Sequence, residues 1–241
     1  MPSNAVTISA AFTPQLGSGV SSVVSAGAGS VWVVLPDFTA GSHSVEHTSA
    51  AKCGGLGAAF ATDVYAATYF LGALTNPAQN EILDTNSAYI SQSSSSCGQP
   101  TSSIPSSVSL VLIAGPSANE VANYYNTFSP LYYNYATGCF TRRDTGATIP
   151  DGCNYPSTPT NDIFIMEAFT DAFGRTVFMI YGYNWDGTLA AYEYVVNFVL
   201  KTPSNYPASW YVYTWQDASS GLSANGIPDP GDTYTQIASG P

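Results

Sequence analysis

The sequence predicts an α/β fold, a layered sandwich with a mixed sheet flanked by helices, plus an N-terminal strand and a loop-rich C-terminal tail. Three observations lead there. Apolar strand-like runs alternate with helix-like periods three times along the chain. Residues 163–169 and 176–181 are nearly continuous apolar runs joined by a short turn, which predicts a hairpin buried on both faces at the centre of a sheet. The run 188–200 then carries Leu189, Tyr192, Val196 and Val199 at helical spacing, with Glu193 and Asn197 between them on the side expected to stay wet.

Taken in order, residues 4–13 place Val6, Ile8, Ala10 and Phe12 on one side and read as a strand, either an edge strand of its own domain or one that adds to a neighbour. A Gly- and Ser-rich stretch follows, so residues 1–30 form a strand with a flexible linker. Residues 31–35 are a short buried strand stopped by Pro36. A helix is expected over about 57–74, with Phe60, Val64, Ala67, Leu71 and Leu74 in one stripe and Asn76-Pro77 ending it. A short helix is expected around 79–83, then a Ser-rich loop to 107. Residues 109–114 are the next buried strand. Ser117 with Glu120 three positions later reads as a capping box opening a helix to about Phe128. Residues 129–162 show no period and read as a surface excursion. Residues 210–215 alternate aromatics as a strand, which closes one domain over 31–216, and 217–241 is left as the tail, mostly loop with one short strand.

Composition narrows function. Five Lys and Arg stand against sixteen Asp and Glu, a net charge of −11, and only 9% of residues are charged where about 25% is usual. Phosphate backbones need clustered cations, and the one adjacent pair is Arg142-Arg143, so nucleic acid and anionic membrane surfaces are excluded as partners. Divalent cations and copies of the chain, packed through uncharged polar and aromatic surface, are compatible. No run of eighteen apolar residues occurs, so no membrane insertion is expected, and Met1-Pro2-Ser3-Asn4 has neither the basic region nor the apolar core of a secretory signal.

Cys53, Cys97, Cys139 and Cys153 lack zinc or haem spacing and read as disulfides in an oxidising, extracellular setting. Cys139 with Cys153 is the preferred pair because a short Gly- and Asp-containing loop joins them, which leaves Cys53 with Cys97.

Several constellations bear on chemistry. With Asn225 and Gly226 at places five and six of a calcium loop, Ser223 falls at three, Ile227 at seven, Asp229 at nine and Asp232 at twelve. Gly221 then occupies the first place, and Asp217 is the carboxylate that could replace it through a longer loop. The competing reading is a plain Asn-Gly and Pro-Gly turn pair. His43-Ser44-Val45-Glu46-His47 has the spacing of one zinc peptidase class but no helical period around it, which favours a solvated loop. Glu167 and Asp186 could form an acid–base pair if they converged, as in glycoside hydrolysis; the alternatives are a hydrogen-bonded strand position and a helix cap. Gly115-Pro116-Ser117 lacks the spacing and Lys of a phosphate loop, so a cap is the better reading.

Three motifs in series, Ser109-Leu-Val-Leu-Ile-Ala-Gly-Pro-Ser-Ala-Asn119, Phe164-Ile-Met-Glu-Ala-Phe169 with the strand Gly174 to Gly182, and Asp186-Gly-Thr-Leu-Ala-Ala191, resemble the archaeal surface-layer (S-layer) proteins. The Ala-rich helix with its Asp63-Val64 pair is similar as well, and the likeness spans about residues 31–200. The chain departs in having Ala114 where that family has the first Gly of Gly-Gly-Pro, in lacking any Asn-x-Ser/Thr sequon and in its low charge density. The resemblance implies a non-enzymatic, extracellular structural subunit of the cell envelope that self-assembles as a homopolymer, in a surface coat or filament, with calcium bound. An extracellular hydrolase or a carbohydrate-binding protein using exposed Trp and Tyr is the alternative.

Overall fold

A computed structural model describes residues 19–21, 31–37, 61–73 and 79–241. The strand expected at 4–13, the His43/Glu46/His47 cluster, Cys53 and the first residues of the helix expected from 57 lie outside them.

The described chain runs β1 (Val31–Leu35), α1 (Ala61–Ala73), β2 (Gln79–Leu83), β3 (Ser109–Ile113), α2 (Glu120–Tyr125), β4 (Leu131–Asn134), β5 (Cys139–Arg142), β6 (Thr148–Cys153), β7 (Asn161–Thr170), β8 (Thr176–Gly182), α3 (Trp185–Tyr194), β9 (Trp210–Gln216) and β10 (Thr233–Gly240). Seven strands form one mixed sheet in the order β10-β9-β7-β8-β3-β1-β2. Strands β8, β3, β1 and β2 are mutually parallel, whereas β7, β9 and β10 add antiparallel from β8 outward. The hairpin β7–β8 is therefore central, as its two-sided apolar pattern requires.

The fold is mostly β, with 35% strand against 18% helix, so the expected helix-flanked sandwich is corrected. The two longer helices cover one face. There α3 lies on β7 and β8, and α1 packs beside it, with Phe70 edge-on to Tyr192. Glu193, expected to stay wet, is buried because Asn197, bonded to it, also reaches Tyr69 of α1. The other face is closed by the six-residue α2 and by a second, antiparallel sheet, β4-β5-β6. That sheet comes from the segment read as a surface excursion. It lacks a detectable period because each strand sends only one or two apolar side chains inward, Leu131, Phe140 and Ile149. Cys139 and Cys153 face each other across β5 and β6 and are bonded, and none of the described cysteines is a free thiol.

Three further expectations change. Residues 79–83 form a strand, paired in parallel with β1, and not a helix. The one short strand expected in the tail is longer than that, the eight-residue β10, and it extends the main sheet. Helix α2 is capped by Asn119 and not by Ser117: Asn119 Oδ1 accepts from the N–H groups of Val121 and Ala122, while its Nδ2 donates to Val34 O and Ile113 O. One side chain thus caps the helix and ties the ends of β1 and β3. Among the described residues no helix is long and apolar enough to cross a membrane.

Replacing Asn119 by Ala removes the cap and leaves two buried carbonyls short of a donor, so Asn119→Ala is expected to lower unfolding free energy by about 3 kcal/mol in a denaturant titration. Ala114 sits at a φ of 68°, a left-handed conformation that penalises a Cβ. Ala114→Gly is expected to be stabilising by about 1 kcal/mol in the same titration.

Candidate functional site

Sheets with parallel strands bind ligands beyond the carboxyl ends of those strands, so that edge is where a site belongs. The ends of β1 and β2 carry Asp37 and Asp84, and α2 begins opposite them with Glu120. Asp84 is fully buried, accepting from the Asp37 N–H through Oδ1 and from the Glu120 N–H through Oδ2, both at 2.8 Å. Thr85 Oγ1 donates to Asp37 Oδ2, and Gln92 Nε2 donates to Glu120 Oε2. Burial pushes the Asp84 carboxyl up to about 8. Its geometry is that of a clamp: one carboxyl joins two strand ends to a helix start.

At the end of β8 a second carboxyl does similar work. Asp162, at the start of β7, is fully buried and accepts from Ile163, Asn184 and Gly187 N–H groups at 2.7–2.9 Å. It caps α3 from across the sheet, while the side chain of Asn184, the formal cap residue, makes no cap bond. Gly182 and Gly187 pack backbone to backbone here, and a Cβ on Gly182 would overlap the Gly187 main chain. Thr188 Oγ1 accepts from the Gly182 N–H. The Asp186-Gly-Thr motif is therefore a packing device. Asp186 is itself buried, with Oδ1 unpartnered, and burial followed by the charge of Asp162 pushes it up to about 6. Asp162 reaches about 6 through burial, against the pull of its amide bonds.

Glu167 and Asp186 do not converge. Glu167 shares its face of β7 with Ile163, Ile165 and Phe169, beneath the second sheet, and its Oε2 accepts from Leu131 N–H at 3.0 Å. Asp186 belongs to α3 on the opposite face. Glu167 is fully buried with Oε1 unpartnered; burial raises it to about 8, opposed by the Leu131 bond, Arg143 and Ser129.

The expected calcium ligands fall in the β9–β10 connection. Asp232 accepts from Trp215 Nε1 and the Asp229 N–H through Oδ2, and from the Ala218 N–H through Oδ1. Asp229 Oδ1 accepts from Gly231, Asn225 Oδ1 from Ile227, and Asp217 Oδ2 from Gly226. Ser223 lies against Gly231, and Asp217 Oδ1 is enclosed without a partner. Carboxylates and amides are thus brought together as a series of side-chain-to-backbone turns. Among the described residues no three His, Cys, Asp or Glu side chains are grouped so as to hold a metal.

One cavity of about 50 Å³ opens at the β7–β8 turn, against Pro100, Tyr124, Phe128 and Phe173. Its charged groups are mutually satisfied, since Arg175 pairs with Asp171 at 2.7 Å and Tyr125 donates its hydroxyl to the same carboxylate. It offers rings without a reactive group. Asp84, Asp162 and the Asp171–Arg175 pair escaped the sequence reading. An Asp directly flanking an apolar run is the signal at 162 and 171, whereas Asp84 follows a polar strand, Gln79–Leu83, that gives no such signal. Searches among protein families, curated proteins and solved structures return no match.

Asp84, Asp162, Glu167 and Asp186 all hold their protons to higher pH folded than unfolded. The unfolded chain ionises first, so stability is greatest below about pH 4 for these groups and falls as pH rises through 6 to about 8. Melting temperature is expected to decline over that range, and Glu167→Gln, which keeps an acceptor for Leu131, is expected to make the decline shallower.

Proposed function

We propose that this chain is a non-enzymatic structural subunit that self-assembles outside the cell into a coat or filament. The observation that carries the reading is β10. It is an eight-residue strand at the edge of the main sheet, bears no charged residue and no proline, and has β9 as its partner on one side only among the described strands. Edges of this kind are templates for another strand; chains that avoid association guard them with Lys, Pro, short length or a bulge, and β10 carries only the last of these, between Gln236 and Ala238. The neighbouring connection is also suited to contact, with Leu222 99% exposed and Ile227 56% exposed on a backbone fixed by its turns. A disulfide and a surface poor in charge agree with an extracellular setting.

The likeness of the three sequence motifs to surface-layer proteins supports the same reading. Calcium is part of the same proposal at the 217–232 connection, where binding would have to draw Asp217, Asp229 and Asp232 away from the main-chain N–H groups they accept from. The hydrolase alternative loses the carboxylate pair that would have favoured it, because Glu167 and Asp186 lie on opposite faces of β7–β8.

Negative-stain microscopy and light scattering in calcium are expected to find polymers of the full chain and monomers of a variant lacking residues 1–16. Monomers of both would remove the proposal.

A further inference from the structure

We propose that residues 4–13 of one copy add as an antiparallel strand to the β10 edge of the next copy. This rests on the assembly reading above and identifies its contact.

Residues 19–21 fix where the N-terminal segment leaves the subunit. The Val20 N–H donates to Ala208 O and the Ser21 N–H to Tyr206 O, both at 2.9 Å. Gly19 packs against Pro207, so closely that a Cβ there would overlap the Pro207 carbonyl. Residues 206–208 lead directly into β9, whose first residue pairs with Gly240, and the Ser209 N–H donates to Gly240 O. The preceding eighteen residues therefore start from the corner where β9 begins and β10 ends.

Length then decides the direction of pairing. Five residues, 14–18, connect Thr13 to Gly19, and the six steps between those two span at most about 21 Å when extended. Strand β10 has eight residues, so Thr233 and Gly240 lie about 24 Å apart along it, and a partner strand is set a further ~5 Å to the side. An antiparallel partner of β10 must bring its residue 13 to the Thr233 end, out of reach of the chain's own linker. The chain's own segment could lie on β10 only in parallel, a pairing less stable per residue and typical of strands covered on both faces. A neighbour's segment has no such restriction.

The surface beside β10 suits the segment. Tyr234 and Phe198 are half-buried, 5.8 Å apart between ring centroids, and form the margin of the aromatic cluster of Tyr194 and Tyr213. A strand placed next to β10 with Val6, Ile8 and Phe12 on one side would cover that margin and leave Thr7, Ser9 and Thr13 on the other. The opposite sheet edge is a poorer acceptor: β2 has five residues and carries Glu81. Because the arm leaves one corner and docks on another copy's edge, the contact is heterologous, and repetition extends a chain.

The test mixes the variant lacking residues 1–16 with a synthetic peptide of residues 1–16 and follows binding by calorimetry, alongside polymer formation by the full chain. The peptide is expected to bind one-to-one. Thr235→Lys with Ser239→Lys, exposed positions whose substitution should leave the circular dichroism and melting temperature in place, is expected to weaken peptide binding at least about tenfold and keep the full-length chain monomeric. Polymers that persist in the Lys variant, or a peptide that fails to bind while the full chain polymerises, overturn this contact and leave the assembly reading standing. A monomeric full chain overturns both, and peptide binding in that case assigns the segment to its own subunit.

Discussion

Strand β8 is the constraint on which the rest of the molecule depends. It pairs in parallel with β3 on one side and antiparallel with β7 on the other, so the two halves of the sheet meet along its backbone. Both of its faces are buried, by α3 on one side and by the second sheet on the other. Its end must also turn at once into α3. That turn is tight enough to need Gly182 against Gly187, and it exposes helix N–H groups that Asp162 satisfies from the neighbouring strand. Each requirement falls on a different residue, and all are met within one junction.

The buried carboxyls follow from the same economy of material. With five Lys and Arg in the chain, strand ends and helix starts are joined by Asp and Glu accepting from main-chain N–H groups, as at Asp84, Asp162 and Glu167. Of the described cations only Arg175 is fully buried, and it is spent on Asp171. An amide bond stabilises a carboxylate, but burial in an apolar surround penalises its charge more.

Legibility varied with the kind of signal. The strands β1, β3, β7 and β8 were visible because a strand buried on both faces is an apolar run, and β9 through its alternating aromatics. Strand β2 was missed because Gln79, Asn80 and Glu81 are exposed at a sheet edge and give no run. Strand β10 was mostly missed for the same reason, and β4–β6 because a small sheet lying on another buries few side chains. The junction at residues 182–188 was legible as a signature, but its chemistry was not: Asp162 acts from twenty or more residues away, and no local pattern connects it to α3. Glu167 and Asp186 were visible as carboxyls near the sheet. Strand parity and a helix on the far face, which only the tertiary structure supplies, separate them.

Surface and interior respond to acid in the same direction. The sequence isoelectric point is about 4.1, so as pH falls toward that value the net charge that drives copies apart disappears. Over the same interval the buried carboxyls at 84, 162, 167 and 186 take up protons and cease to cost charge burial. An open edge such as β10, held by main-chain hydrogen bonds that do not titrate, loses nothing in that interval. Strand addition is therefore a mode of association that mild acid leaves intact while it removes repulsion between copies and relieves the fold beneath, whereas contacts built on ion pairs would weaken as their carboxylates discharged.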